Sequence, residues 1–138
     1  MSLSDDLKTA LTADAALMAL LTGGIYNDVE EISLQKTAAA FDATTKEIKP
    51  CALIKLPNEV PTGPYVRGVR TTFVIYVYQR SGYDVIEPAM GLIFTDINDT
   101  QIGSNVWNIE YVGAVYQLRD QALDCPLGSL RFSAIRKL

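Results

Sequence analysis

The side chains in this sequence that could do acid–base, nucleophilic or metal chemistry are few in kind: sixteen carboxylates, two cysteines (Cys51 and Cys125) and no histidine. Without histidine there is no Ser-His or Cys-His nucleophile pair, no histidine zinc site and no imidazole base. Two cysteines do not complete a four-cysteine zinc site. Gly23 and Gly24 precede no Gly-Lys-Ser/Thr, so they cradle no phosphate and read as a helix stop. The stretch "DINDTQIGSNVW" begins like a calcium loop at Asp96, Asn98 and Thr100. It then places Gln101 where the sharp turn needs glycine and Trp107 where a bidentate glutamate is needed. The adjacent acids Glu30 and Glu31 read as a solvated stretch, not a catalytic dyad. No catalytic residue, metal ligand or cofactor site emerges, and a non-enzymatic role is the expectation.

The elements that must position these residues belong to one ordinary domain's length of chain. At 138 residues, 49% hydrophobic and 20% charged, it can bury a substantial core. A net charge of −4 argues against wholesale nucleic-acid binding. No stretch has the run of apolar residues a membrane span needs, and the N-terminus lacks the basic, then apolar, then small-residue order of a secretory signal. Production and residence in a cytosol are expected, with Cys51 and Cys125 as reduced, buried thiols; a disulfide between them is the alternative.

Local signals predict the order helix, strand, strand, helix, strand, strand. Ser4 is a candidate cap for a first helix carrying Leu3, Leu7 and Leu11 at spacings of four, and Asp5 and Asp6 occupy the turn where the dipole favours acids. Asp14 starts a second helix with Leu17, Leu20 and Leu21 as its stripe. Residues 28–49 read as a possible irregular insertion. "CALIKL" after Pro50 is a short strand, "PNEVPTGP" a loop, and Val66 to Gln79 a long strand. Val85, Ile86, Ala89, Leu92, Ile93 and Ile97 mark a helix, with Asp84 favoured over Ser81 as its start. Val106 to Leu118 and Ser129 to Lys137 are strands joined by a loop "RDQALDCPLG". The fold class is α+β: a single mixed, largely antiparallel sheet of about four main strands, with the N-terminal helices and one crossover helix packed on it.

The long strand has two apolar faces. Phe73, Ile75 and Val77 share one, which is the better core because it has no polar tips; Val74, Tyr76 and Tyr78 share the other. All six arginines and ten of the twelve aromatic residues lie from Tyr65 onward, and arginine and tyrosine are enriched at protein interfaces. A more β-rich half also accounts for the aromatics. Tyr76 and Tyr78 are therefore candidates for a contact with a neighbouring subunit, with burial beneath the helices as the alternative.

In element order the chain resembles the tail terminator (tail completion, minor tail) proteins of long-tailed, lambda-like bacteriophages. The likeness rests on "LKTALTADAALMALLTGGIYND", the Pro-led "PCALIKL", the strand "RTTFVIYVYQR", a Ser/Gly/Tyr/Asp-started helix, and the closing "YQLRDQALDCPLGSLRFSAIRKL". It spans nearly the whole chain, 1–138, as one domain; the stretch from Asp28 to Lys49 is longer than that family's pattern. The resemblance implies a virion protein, made in the bacterial cytoplasm, that acts by binding alone. Such a protein forms a homohexameric ring on the tail tube, stops tail polymerisation and presents a head-joining surface. The implied partners are further copies of itself, the tail tube protein and a head connector or neck protein. DNA passes through the ring without specific binding, and an acidic lumen would let it slide. The closing stretch adds Tyr116, Arg119 and Asp120 as interface candidates; Arg119 either pairs with an acid on the next subunit or closes a salt bridge with Asp120 or Asp124 in its own turn. Another ring of the phage neck, and a small dimeric bacterial α+β binding module, are the competing readings.

Overall fold

The computed structural model describes residues 3–27, 41–42, 44–61, 68–98, 100–102, 106–121 and 124–137. Of the stretch read as an insertion, 28–40 and 43 lie outside the described residues. Two helices open the chain, α1 (Leu3–Thr12) and α2 (Ala15–Leu20). The leucine stripe of α1 does what its spacing predicts, Leu3, Leu7 and Leu11 all being buried; of the second stripe Leu17 and Leu21 are buried and Leu20 is half-buried against the same core. Each such burial is worth about 1.5–3 kcal/mol relative to exposure. Asp14 caps α2 as expected, its Oδ1 accepting from the backbone N–H groups of Ala16 and Leu17 at 3.0 and 3.2 Å. Ser4 does not cap α1; it lies inside the first turn, because Leu3 already belongs to the helix and is buried with it.

Five strands follow in one sheet: β1 (Gly24–Tyr26), β2 (Cys51–Pro61), β3 (Gly68–Tyr78), β4 (Val106–Asp120) and β5 (Cys125–Lys137). The helix α3 (Ile86–Ile97) crosses between β3 and β4. The strand order is β1-β2-β3-β5-β4, antiparallel throughout except for the parallel β1–β2 pair. The α+β class and the single mixed sheet are thus as predicted, with one short strand more. Gly23 and Gly24 end the helical opening, and Gly24 also starts β1. Gly24 takes φ +97, and the Gly23 N–H donates to Pro50 O at 2.7 Å.

Two predicted loops are largely strand. β2 runs on through "PNEVP" because β3 pairs with it as far as Pro61↔Val69. Pro57 falls in the register shift between Lys55 and Asn58, where the ladder is interrupted and a missing N–H costs least. β5 starts at Cys125, not Ser129, since Leu127 and Gly128 pair with Tyr78 and Val77 of β3. Gly128 sits under α3: a Cβ there would lie 2.5 Å from Met90 Sδ and 2.9 Å from Ile86 Cγ2. The residue that looked like loop punctuation is what lets the helix approach the sheet.

The core lies between the helices and one sheet face. Phe73, Ile75, Val77, Leu130, Phe132 and Ala134 meet Ile86, Ala89, Met90, Ile93 and Ile97 of α3 and the leucines of α1 and α2. Phe73 and Phe132 stack across β3 and β5 with centroids 5.4 Å apart. The start of α3 is held from a distance. Neither Asp84 nor Ser81 caps it through its side chain; Gln79 does, its Oε1 accepting from the N–H groups of Val85 and Ile86 at 3.0 and 3.2 Å. Its Nε2 donates to Asp84 Oδ1 at 2.5 Å and Ser81 O at 2.8 Å, so the predicted cap residues orient the cap.

Candidate assembly surface

The sheet face opposite the helices, here the outer face, is divided. At one end a second apolar cluster forms from Tyr26, Phe41, Ile48, Cys51, Leu53, Tyr78, Cys125 and Leu127. Its lid is a short irregular hairpin in which Phe41 bridges Ile48. Asp42 shapes the turn, its Oδ1 accepting from Thr44 and Thr45 N–H at 2.8 and 3.0 Å, which holds its carboxyl below the usual range. Arg80, just after β3, clasps the hairpin through Glu47 at 2.6 Å. A shallow hollow of about 390 Å³ lies beside this clasp, lined by Asp42, Glu47, Lys49 and Arg80 among others. Arg80 and Glu47 pair with each other there, and among the described residues no three His, Cys, Asp or Glu side chains are placed to hold a metal ion.

The chain itself therefore covers part of the second face of β3. Tyr78 is only 6% exposed, enclosed by that cluster and not by the helices. Burial pushes its phenol well above the usual range, and the Asp120 carboxylate adds to this. Tyr76 is half-buried at the rim of the same cluster. Cys51 and Cys125 are free thiols inside it, and burial pushes Cys51 up to about 12.

Beyond Tyr76 the outer face turns polar. Lys55, Val74 and Arg131 stand side by side on β2, β3 and β5. Arg70 follows further along β3, donating to Ser133 Oγ at 3.3 Å and lying 4.0 Å from Glu110 Oε2. Lys55, Arg70 and Arg131 are exposed.

β4 forms an outer edge of the sheet and, among the described residues, is its most exposed strand. Tyr111, Val112, Val115, Tyr116 and Leu118 are exposed, Val112 at 57% and Tyr116 at 53%. Among the described residues every exposed large hydrophobic lies on β4 except Phe94, whose ring meets Tyr111 edge-on at 5.1 Å. Three register shifts interrupt its pairing with β5, and Gln117 takes φ +58. Such bulges blunt an edge against unlimited strand addition, and the exposed apolar side chains beside them make this edge the candidate contact surface. Composition hinted at this surface through its tyrosines, but Val112, Val115 and Phe94 carried no local sign of exposure.

The remaining candidates sit at the far end of β4. Arg119 Nη2 pairs with Asp124 Oδ1 at 2.6 Å across the β4–β5 turn, which is the own-turn alternative, and this raises the guanidinium's already high pKa. Asp120 is half-buried opposite Cys125. The structure brings Tyr78, Asp120 and Cys125 together and leaves Tyr116 on the exposed strand, apart from Tyr76 on the outer face.

The arrangement defines a class: a helix-covered mixed sheet with an open apolar edge and a second face that is part apolar and part cationic. No protein-family model and no curated protein matches the chain. Among solved structures, it is similar to a chain of one described as "Virion of native gene transfer agent (GTA) particle", with a TM-score of 0.75. That likeness covers 99% of this chain and 96% of the other at 16% identity, and it shows a shared fold.

Proposed function

We propose that the chain is a structural component of a phage-like virion, a single domain that forms a homo-oligomeric ring capping the tail tube. The ring stops tail polymerisation and offers the head-joining surface. The observation that carries this reading is the fold shared end to end with a chain of a virion particle. The exposed β4 edge supports it, because such a surface needs a partner. In this reading a neighbouring subunit contacts Tyr116 on β4 and Tyr76 on the outer face. Tyr78, Arg119 and Asp120, engaged within their own chain, shape the ground beside that contact. The partners are further copies, a tail tube protein and a neck protein. The chemistry is binding, without catalysis, cofactor, membrane or specific nucleic-acid recognition, although DNA passes through the ring.

Negative-stain microscopy and light scattering at rising concentration, alone and with tail tubes, test this. Six-fold rings or capped tubes are the expected result; a species that stays monomeric and ignores tubes would sink the reading. Tyr76→Asp with Tyr116→Asp should abolish assembly and leave circular dichroism unchanged. A second reading, a two-fold dimer, is favoured by the gathering of exposed large hydrophobics on the one edge strand β4, Phe94 apart, among the described residues, since a two-fold contact pairs an edge with itself. A dimer that never grows in sedimentation would select it.

A further inference from the structure

Among the described residues charge is polarised from one layer to the other. Among the described residues the helices and the turns leading into them carry Asp5, Asp6, Asp14, Asp84, Glu87 and the half-buried Asp96 against Lys8. On the opposite side, among the described residues, the exposed charges beyond Tyr76 are Lys55, Arg70 and Arg131 against Glu110. This excess of positive charge is local, because the whole chain is at −4.

Register builds the cationic strip. Lys55 and Arg131 flank Val74 on adjacent strands, so their Cα atoms stand about 10 Å apart across the sheet. Arg70 lies on the same face of β3 as Val74, four residues away. Among the described residues neither Lys55 nor Arg131 forms an ion pair, while Arg70 is the one that meets Glu110. The acids opposite are held outward by the same packing that buries their neighbours. Asp5 and Asp6 stand between the buried Leu3 and Leu7 of α1, and Glu87 follows the buried Ile86 of α3.

We propose that this cationic strip docks the acidic helix layer of a second copy, so that subunits associate head to tail. The inference rests on the oligomeric reading above and names its surfaces and its partner. Two unlike, complementary patches on one chain give a heterologous contact, the kind that closes into rings. A two-fold contact through this strip would instead set it against itself, with like charges opposed. The β4 edge then supplies apolar area beside an electrostatic contact that sets orientation.

The test uses two charge reversals of the full chain. Lys55→Glu with Arg131→Glu makes both layers acidic, and Asp6→Lys with Glu87→Lys makes the helix layer more basic. Each should be monomeric alone at concentrations where the wild type assembles, with wild-type circular dichroism. An equimolar mixture should recover assembly, because each variant then offers the layer the other lacks, and the two must alternate. Recovery by the mixture alone supports the proposal. Assembly of either variant by itself, or two folded variants whose mixture stays monomeric, overturns it. If a variant does not fold, the wild type decides by salt: raising sodium chloride from about 0.1 M to about 1 M shortens the screening length from about 10 to about 3 Å. The association constant should then fall at least about tenfold, and salt-independent assembly overturns the proposal. A wild type that never assembles, with or without tail tubes, removes the oligomeric reading itself. Rings that form regardless of charge leave that reading standing and remove only this one.

Discussion

Gln79, the residue after β3, caps the helix that begins at Ile86: its side-chain oxygen accepts the Ile86 N–H at 3.2 Å and the Val85 N–H at 3.0 Å. Gln79 is a buried polar residue, so truncation strands two donors at the start of α3. Gln79→Ala should lower stability by about 1–2 kcal/mol in urea unfolding. Asp84→Ala, which only loosens the Gln79 amide, should cost less. Equal costs, or a silent Gln79→Ala, would show that packing alone seats the helix.

Gly128 should not tolerate a side chain. A Cβ there meets Met90 Sδ at 2.5 Å and Ile86 Cγ2 at 2.9 Å, so Gly128→Ala should cost about 1–3 kcal/mol by overpacking. Met90→Ala vacates that space at its own cavity cost. The double variant should therefore be more stable than the sum of the single losses, as read by thermal unfolding. Strict additivity would mean that the glycine serves some other purpose.

Stability should rise on mild acidification. Asp96 on α3 is pushed up to about 6 by burial first and then by the neighbouring Asp14 carboxyl, while Asp14 is held below its usual value by the bond to Asp96 and by its capping bonds. One oxygen of Asp96, Oδ2, is buried without a hydrogen-bond partner. A carboxyl with a raised folded pKa stabilises the fold below its unfolded value and loses that contribution as pH climbs through the folded one. Between about pH 4 and pH 6, then, stability should fall with rising pH. Below that window Asp14 reverses the slope, because its stabilising charge is lost as pH falls through its lowered value. Asp96→Asn should flatten the pH 4 to 6 slope in denaturant titrations; an unchanged slope would exclude Asp96 as its source.

The thiols report on the lid. Cys51 is fully enclosed, and a value pushed up to about 12 leaves almost no thiolate at neutral pH. Alkylation of the native protein should proceed only through opening of the Phe41–Ile48 hairpin or through global unfolding. Phe41→Ala should speed Cys51 labelling at least about tenfold while leaving the α3 side of the core intact by near-ultraviolet dichroism. Unchanged labelling would mean that the hairpin is not what shields that end of the sheet.

Much of the fold follows from local pattern. Leucines at spacings of four predicted the buried stripe of α1, Asp14 announced α2, and alternation along β3 picked Phe73, Ile75 and Val77 for the helix side. What was missed depends on partners distant in the chain. β1, the tail of β2 and the beginning of β5 are strands because another strand pairs with them, although their own residues include the turn signals Gly24, Pro57 and Gly128. Gln79 caps a helix seven residues on, outside any local capping pattern.

The candidate surface divides the same way. Sequence alone determined the kinds of residue present: no histidine, arginines and tyrosines concentrated after Tyr65, and a strand with two apolar faces. Tertiary structure decided where they went. Tyr78 lies under a hairpin of its own chain, while Tyr116, on a bulged edge strand, stands exposed. Lys55, Arg70 and Arg131 became one strip because the register of three strands sets them on one face. Side-chain type and periodicity are properties of neighbours along the chain, whereas exposure and charge grouping belong to neighbours in space, which form only when the sheet closes.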